Sequence, residues 1–174
     1  MAVFALEETL TVAEYLARSF EVDCDFVDGH LVERNLGDWG HSSVKSLVAA
    51  WLVVHDKEWG TFSRTELRLQ VLPTRFRVPD VTILRERPST GYVTAASVAC
   101  IEVLSLDDSL NAMRERVEDY LRMGVENVWL IDAIARQAWI CTEGGWNHPS
   151  EPRLAILGTE IYIPLDEIFA GLDA

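Results

Sequence analysis

Val98-Ala99-Cys100-Ile101-Glu102-Val103-Leu104 reads as a β-strand buried on both faces, an apolar run broken by one carboxylate. An isolated ionised carboxylate in such a strand costs at least several kcal/mol, so Glu102 must be paired with a cation, protonated or bound to a metal. Two readings of Glu102 stand together: a partner for an arginine at the edge of a groove, or a ligand. A second carboxylate, Asp80 in Pro79-Asp80-Val81, also precedes a strongly apolar strand, Val81 to Leu84. The Pro88-Ser89-Thr90-Gly91 loop lies between the two strands, so they can lie side by side and their carboxylates can converge. Paired Asp and Glu oxygens suit Mg²⁺ or Mn²⁺, hard ions that take oxygen ligands and keep water molecules that can be activated.

Outward from this pair the chain interleaves helices and strands. Thr9 or Thr11 can cap a first helix to about Ser19, and Asp28-Gly29 between short apolar runs predicts a tight hairpin. Val44, Leu47, Val48, Trp51, Leu52 and His55 follow helical spacing, with Gly60 beyond their end. Alternation from Arg64 to Val71 predicts one strand with a wet face. Ser109 to Met123 carries the apolar stripe Leu110, Met113, Val117, Tyr120 and Leu121 and ends at Gly124, as a helix should. Val128 to Ile131, Gln137 to Cys141 and Ile161 to Ile163 read as further strands, and Leu165 to Phe169 as a terminal helical turn.

The chain has 174 residues and a formal charge of −13, the size of one ordinary domain. Its acidity opposes loose, sequence-independent binding to nucleic acid or anionic lipid. No stretch is apolar enough to span a bilayer, and Met1 to Leu10 lacks a basic region followed by an apolar run, so the expectation is a cytoplasmic protein without a membrane partner. Cys24, Cys100 and Cys141 are far apart and suggest neither disulfides nor a zinc site. No GxGxxG, GxxxxGK[ST], GxSxG or HExxH motif occurs, which argues against the usual nucleotide-binding folds, serine hydrolases and zinc proteases.

Asp28-Gly29 with Glu33, then His41, Pro79-Asp80-Val81, Glu102-Val103-Leu104-Ser105, and Tyr120 through Gly124-Val125 to Val128-Trp129-Leu130-Ile131-Asp132 form an ordered set. That set resembles the Uma-two family of restriction-endonuclease-like proteins, in the PD-(D/E)XK nuclease superfamily, from about Leu10 to Cys141. The resemblance implies an α/β (α+β) fold class: a restriction-endonuclease-like mixed β-sheet core flanked by helices, as a single domain over residues 1–174. It further implies a metal-dependent DNA endonuclease in which Asp80 and Glu102 bind Mg²⁺ or Mn²⁺ and Glu33 assists. The superfamily lysine two residues after the Glu is Leu104 here. The family's alternative position, four residues before the Tyr, is Arg116. With only Lys45 and Lys57 in the chain, no lysine can be carried over.

Helical geometry sets Arg116 about 60° from Met113 at the edge of the apolar stripe. There it can clamp a phosphate or form a salt bridge to Glu102 or Asp119; its guanidinium cannot be a general base. His41 either makes a local bond at a helix start or lies near the cleft. Ser105 either orients a ligand or caps a turn, and Asp107 and Asp108 suit the positive end of the next helix better than a metal. Residues 1–40 hold nine acids and two arginines, whereas residues 64–87, around Asp80, hold six arginines and three acids. That basic segment is either a phosphate-facing patch or a solvated strand face. The missing lysine and the acidity sustain an alternative: a catalytically degenerate nuclease-fold domain acting through protein–protein interaction, with a homodimer as one form of it. Six tryptophans serve either such an interface or the core.

Overall fold

The structure, a computed structural model, describes residues 9–20, 24–35 and 37–173; Met1 to Glu8, part of the N-terminal stretch read for a leader, lie outside them. After α1 (Val12–Ala17), Asp28 (φ 50) and Gly29 (φ 95) turn the chain from β1 (Cys24–Val27) into β2 (His30–Glu33). Both turn residues are left-handed, as a two-residue hairpin loop that matches strand twist requires.

The long helix α2 (Trp39–Trp59) begins where Asp38 accepts the His41 backbone N–H at 2.8 Å, and it stops at Gly60 in a left-handed cap, φ 63. Its buried residues Val44, Val48 and Leu52 recur every fourth position and face the core. The expected strand from Arg64 to Val71 is two strands, β3 (Phe62–Thr65) and β4 (Leu69–Leu72). Glu66 takes φ 53 and donates its backbone N–H to the Asp80 carbonyl, so the alternation breaks in a turn fastened beside Asp80. A short strand that periodicity does not reveal, β5 (Arg75–Arg77), follows. Then come β6 (Val81–Leu84), β7 (Ala99–Leu104), α3 (Leu110–Met123), β8 (Asn127–Asp132), β9 (Gln137–Thr142) and β10 (Gly145–Asn147). The chain closes with β11 (Arg153–Ala155), β12 (Tyr162–Pro164) and α4 (Leu165–Ala170).

The strands form a six-stranded sheet ordered β10-β9-β8-β7-β6-β3, a four-stranded sheet ordered β2-β1-β5-β4, and the pair β11-β12. Only β7 and β8 run parallel in the large sheet, and α3 connects them as a crossover. One face carries Val81, Ile83, Ile101, Val103, Trp129 and Ile131 and packs on α2, α4 and the β11-β12 pair. The other carries Leu84, Cys100, Val128 and Leu130 and packs on Met113, Val117 and Tyr120 of α3. Each large side chain removed from water this way contributes on the order of 2 kcal/mol. This is a mixed sheet flanked by helices, as expected.

The small sheet is joined to the rest by buried charge. Asp25 of β1 accepts from the Val78 backbone N–H, Arg77 Nη1 and Arg116 Nε, each at 3.0 Å, and Arg77 Nε donates to Asp119 of α3 at 2.8 Å. Arg75 carries the chain of pairs outward to Asp119 and Asp28.

Two stability measurements check this account. Gly29→Ala places a Cβ 2.3 Å from the Thr9 Cγ2 at a left-handed φ, and it is expected to lower unfolding free energy by about 1–3 kcal/mol in a urea titration. Asp25→Ala strips three buried donors of their shared acceptor, and a loss of about 3–5 kcal/mol in the same titration is expected; a loss below about 1 kcal/mol would show that the network is not what joins the two sheets.

Candidate active site

Strand parity brings Asp80 and Glu102 together. Val81 pairs with Ile101 in the antiparallel β6–β7 ladder, so Asp80 and Glu102 lie one step beyond, and both alternate onto the α3 face of the sheet. Both are 1% exposed.

Their facing oxygens converge on one atom. Arg34 Nη2 lies 2.9 Å from Asp80 Oδ1 and 3.5 Å from Glu102 Oε2. The remaining oxygens are held from the other side: Val103 donates its backbone N–H to Asp80 Oδ2 at 2.8 Å, and the Tyr120 hydroxyl donates to Glu102 Oε1 at 2.5 Å. His41 Nε2 stands 3.4 Å from Asp80 Oδ1. Arg116 gives its Nε to Asp25 and keeps Nη1 at 3.9 Å from Glu102. Arg116 and Tyr120, four residues apart, and Asp119 beside them occupy one face of α3, so this helix positions the guanidinium, carboxylate and hydroxyl that meet both sheets.

The two carboxyl groups differ in proton affinity. Burial pushes Glu102 up to about 7, and the neighbouring Asp80 charge adds to that rise against the pull of Arg116, Arg34 and Tyr120. Burial also acts to raise Asp80, but the His41 hydrogen bond, the Arg34 charge and the Val103 N–H overcome it and hold Asp80 down at about 2. His41 is raised: burial works against its charged form, and the contact with Asp80 outweighs it. Arg34 is held in its charged form by Glu102 and Asp80 despite its burial. The surroundings therefore favour the charged form of Asp80 and the neutral form of Glu102.

The other expected residues are distributed differently. Glu33 is exposed at the end of β2, opposite Cys24, and makes no hydrogen bond or ion pair among the described residues; its neighbour Arg34 turns inward instead. His41 joins the local and the cleft readings, because its backbone bonds Asp38 while its ring approaches Asp80. Asp108 accepts from the Ser105 backbone and from Asn35, and Ser109 caps α3, so this loop carries caps rather than ligands. The arginines of the basic segment have partners within the protein. Arg64 faces Asp56, Arg68 lies over Tyr15, Arg75 and Arg77 serve the buried network, Arg85 binds the Trp59 carbonyl, and Arg87 lies over Phe62. Lys45, one turn beyond His41, pairs with Glu66 at 2.7 Å.

Sequence reasoning does not single out Arg34 or Asp25, and it places Tyr120 in the apolar stripe and the ordered set without giving its hydroxyl a partner. Asp25 carries the same signal as Glu102, a carboxylate among Cys24, Phe26 and Val27, and is readable by the same rule. Arg34 carries no periodic signal.

No characterised curated protein matches the chain in sequence. Among solved structures, a "putative nuclease belonging to DUF820" from Anabaena variabilis ATCC 29413 superposes with a TM-score of 0.77 at 20% identity, covering 94% of this chain and 99% of its own, which shows a shared fold. A cryo-electron-microscopy DrdV–DNA complex aligns over 74% of this chain and 10% of its own at 17% identity, with a TM-score of 0.36 too low to mean a common fold. The family described as "Uma2: Putative restriction endonuclease" matches residues 12–172. The chain, with this match over nearly its whole length, belongs to the Uma2 family, and that membership supports a nuclease-type function.

Proposed function

We infer that the protein is a divalent-metal-dependent endonuclease that hydrolyses DNA phosphodiesters, with Asp80 and Glu102 as its metal ligands. The observation carrying this reading is the convergence of Asp80 Oδ1 and Glu102 Oε2 on one cationic nitrogen, Arg34 Nη2. A positive charge already stands between two hard oxygen donors, and the donor set suits Mg²⁺ or Mn²⁺. Bound there, such an ion would acidify an attacking water and offset charge building on the phosphate.

The protein's own groups prepare that chemistry. Val103 and Tyr120 fix the outer oxygen of each carboxylate, leaving the inner ones for a cation. His41 and Arg34 keep Asp80 ionised. Arg116, tied by Nε to Asp25, presents the rest of its guanidinium beside Glu102, where it orients a phosphate by charge and hydrogen bonding without taking a proton. Glu33 contributes at most from the rim, since its side chain is exposed.

A second reading, a scaffold acting through protein contacts, is favoured by exposed apolar residues on the elements that carry the site: Trp39 is 82% exposed, Leu106 71% and Leu110 63%. Plasmid nicking separates the two. The wild type is expected to nick supercoiled DNA with Mn²⁺ and not in EDTA, and Asp80→Asn and Glu102→Gln are each expected to lose at least about 100-fold in rate. Equal rates in wild type and both variants, or no nicking by any of them, would remove the endonuclease reading.

The metal-free pair also sets a pH dependence of stability. Glu102 keeps its proton in the folded state up to about 7, whereas the unfolded chain releases it near 4.5. The folded state therefore binds more protons in this window, and stability falls as pH rises through it. Asp80 acts oppositely and only at lower pH, its contribution being lost as pH falls from 3.8 toward about 2. Calorimetry in EDTA is expected to show the Tm advantage of wild type over Glu102→Gln shrinking by a few degrees between about pH 5 and pH 8; a gap independent of pH would contradict it.

A further inference from the structure

We propose that Arg34 is a built-in competitor for the metal: its guanidinium closes the Asp80–Glu102 pair and must leave before a divalent ion can enter. The proposal rests on the reading of Asp80 and Glu102 as metal ligands and adds a control on that same site.

Geometry makes the two occupants exclusive. Each carboxylate has one oxygen committed elsewhere, to the Val103 N–H or the Tyr120 hydroxyl. The two that remain are the ones Arg34 Nη2 approaches at 2.9 and 3.5 Å. A divalent ion held by these two carboxylates would need the space that this nitrogen fills.

Like charges lead to the same exchange. Arg34 Nη2 already stands at both carboxylates, with His41 beside Asp80 and Arg116 beside Glu102. A divalent ion added next to Arg34 would be set against that guanidinium at close range, and exchanging one for the other removes the repulsion. Lys45 is not a further competitor, since Glu66 holds it.

Arg34 is placed to move. It follows β2, the edge strand of the small sheet, whose residues are mostly exposed, so releasing its side chain breaks no strand pairing. Its seat is also incomplete, because the buried Nε has no hydrogen-bond partner. Sequence position and chemistry thus give the site a tethered cation that is strong enough to neutralise the pair and loosely enough held to exchange.

The test is Mn²⁺ binding by calorimetry and by loss of the free-ion paramagnetic resonance signal, with no substrate present. Arg34→Met and Arg34→Gln are each expected to bind one Mn²⁺ about tenfold or more tightly than wild type. Arg34→Lys, which keeps the charge, is expected to stay close to wild type. Adding Asp80→Asn to Arg34→Met should abolish binding and so place the ion. In EDTA the Met and Gln variants should melt below wild type, and Mn²⁺ should raise their Tm by more than it raises that of wild type; this readout covers a variant too unstable for calorimetry. Wild type binding Mn²⁺ as tightly as both uncharged variants overturns the competitor role while leaving the metal ligands standing. Absence of binding in every variant overturns the ligand reading and this proposal together.

Discussion

A buried chain of alternating carboxylates and guanidiniums governs this fold: Asp80, Arg34, Glu102, Arg116, Asp25, Arg77 and Asp119 follow one another at ion-pair distance. A charge withdrawn from water costs several kcal/mol unless a partner offsets it, so each member is tolerable only because its neighbours are in place. The partners come from different elements. Asp25 and Arg77 belong to the small sheet, Glu102 to the large one, Arg116 and Asp119 to α3, and Arg34 to the segment after β2. Hydrophobic packing brings α3 against the large sheet. The ion chain then fixes the small sheet against both, because a shift of one strand residue would turn Asp25 away from its three donors.

The same constraint explains what the sequence discloses. Periodic elements are legible: α2 and α3 show their apolar spacing, and Asp28-Gly29 marks its hairpin through two left-handed residues. Asp80 and Glu102 stand out because carboxylates do not belong in apolar strands without a reason. The strand break at Glu66 is not legible, because alternation continues through it and only the bond from its N–H to the Asp80 carbonyl makes the turn. Nor is Arg34. An arginine after an exposed strand looks solvated, and its pairing with residues 46 and 68 positions away is a product of the assembled fold. The arginines of residues 64–87 are legible as a dense basic run, but their partners are not: the structure distributes them among ion pairs, aromatic faces and a carbonyl.

The distribution of charge changes what −13 means. Among the described residues most acids lie on the surface, where they repel a polyanion, but four are buried beside arginines that the surface consequently lacks. On the proposed function, approach of a nucleic acid would therefore depend on the local geometry of the site and on the divalent ion, with little help from long-range attraction.

Stability and chemistry make opposing demands on the Asp80–Glu102 pair. For stability the pair should be neutralised from within, and Arg34, His41 and the Tyr120 hydroxyl together do so. For the proposed hydrolysis it should present unshared oxygens to an ion and a water. A lysine near Glu102 could meet both demands, since a compact point charge on a flexible stem can pair with a carboxylate or a phosphate and can shed its proton when buried. A guanidinium keeps its charge throughout. Neither arginine, at position 34 or 116, can shed its charge, so a change from the closed pair to one open to an ion calls for a displacement of Arg34, which follows the edge strand, since Arg116 is anchored through Asp25 to the small sheet.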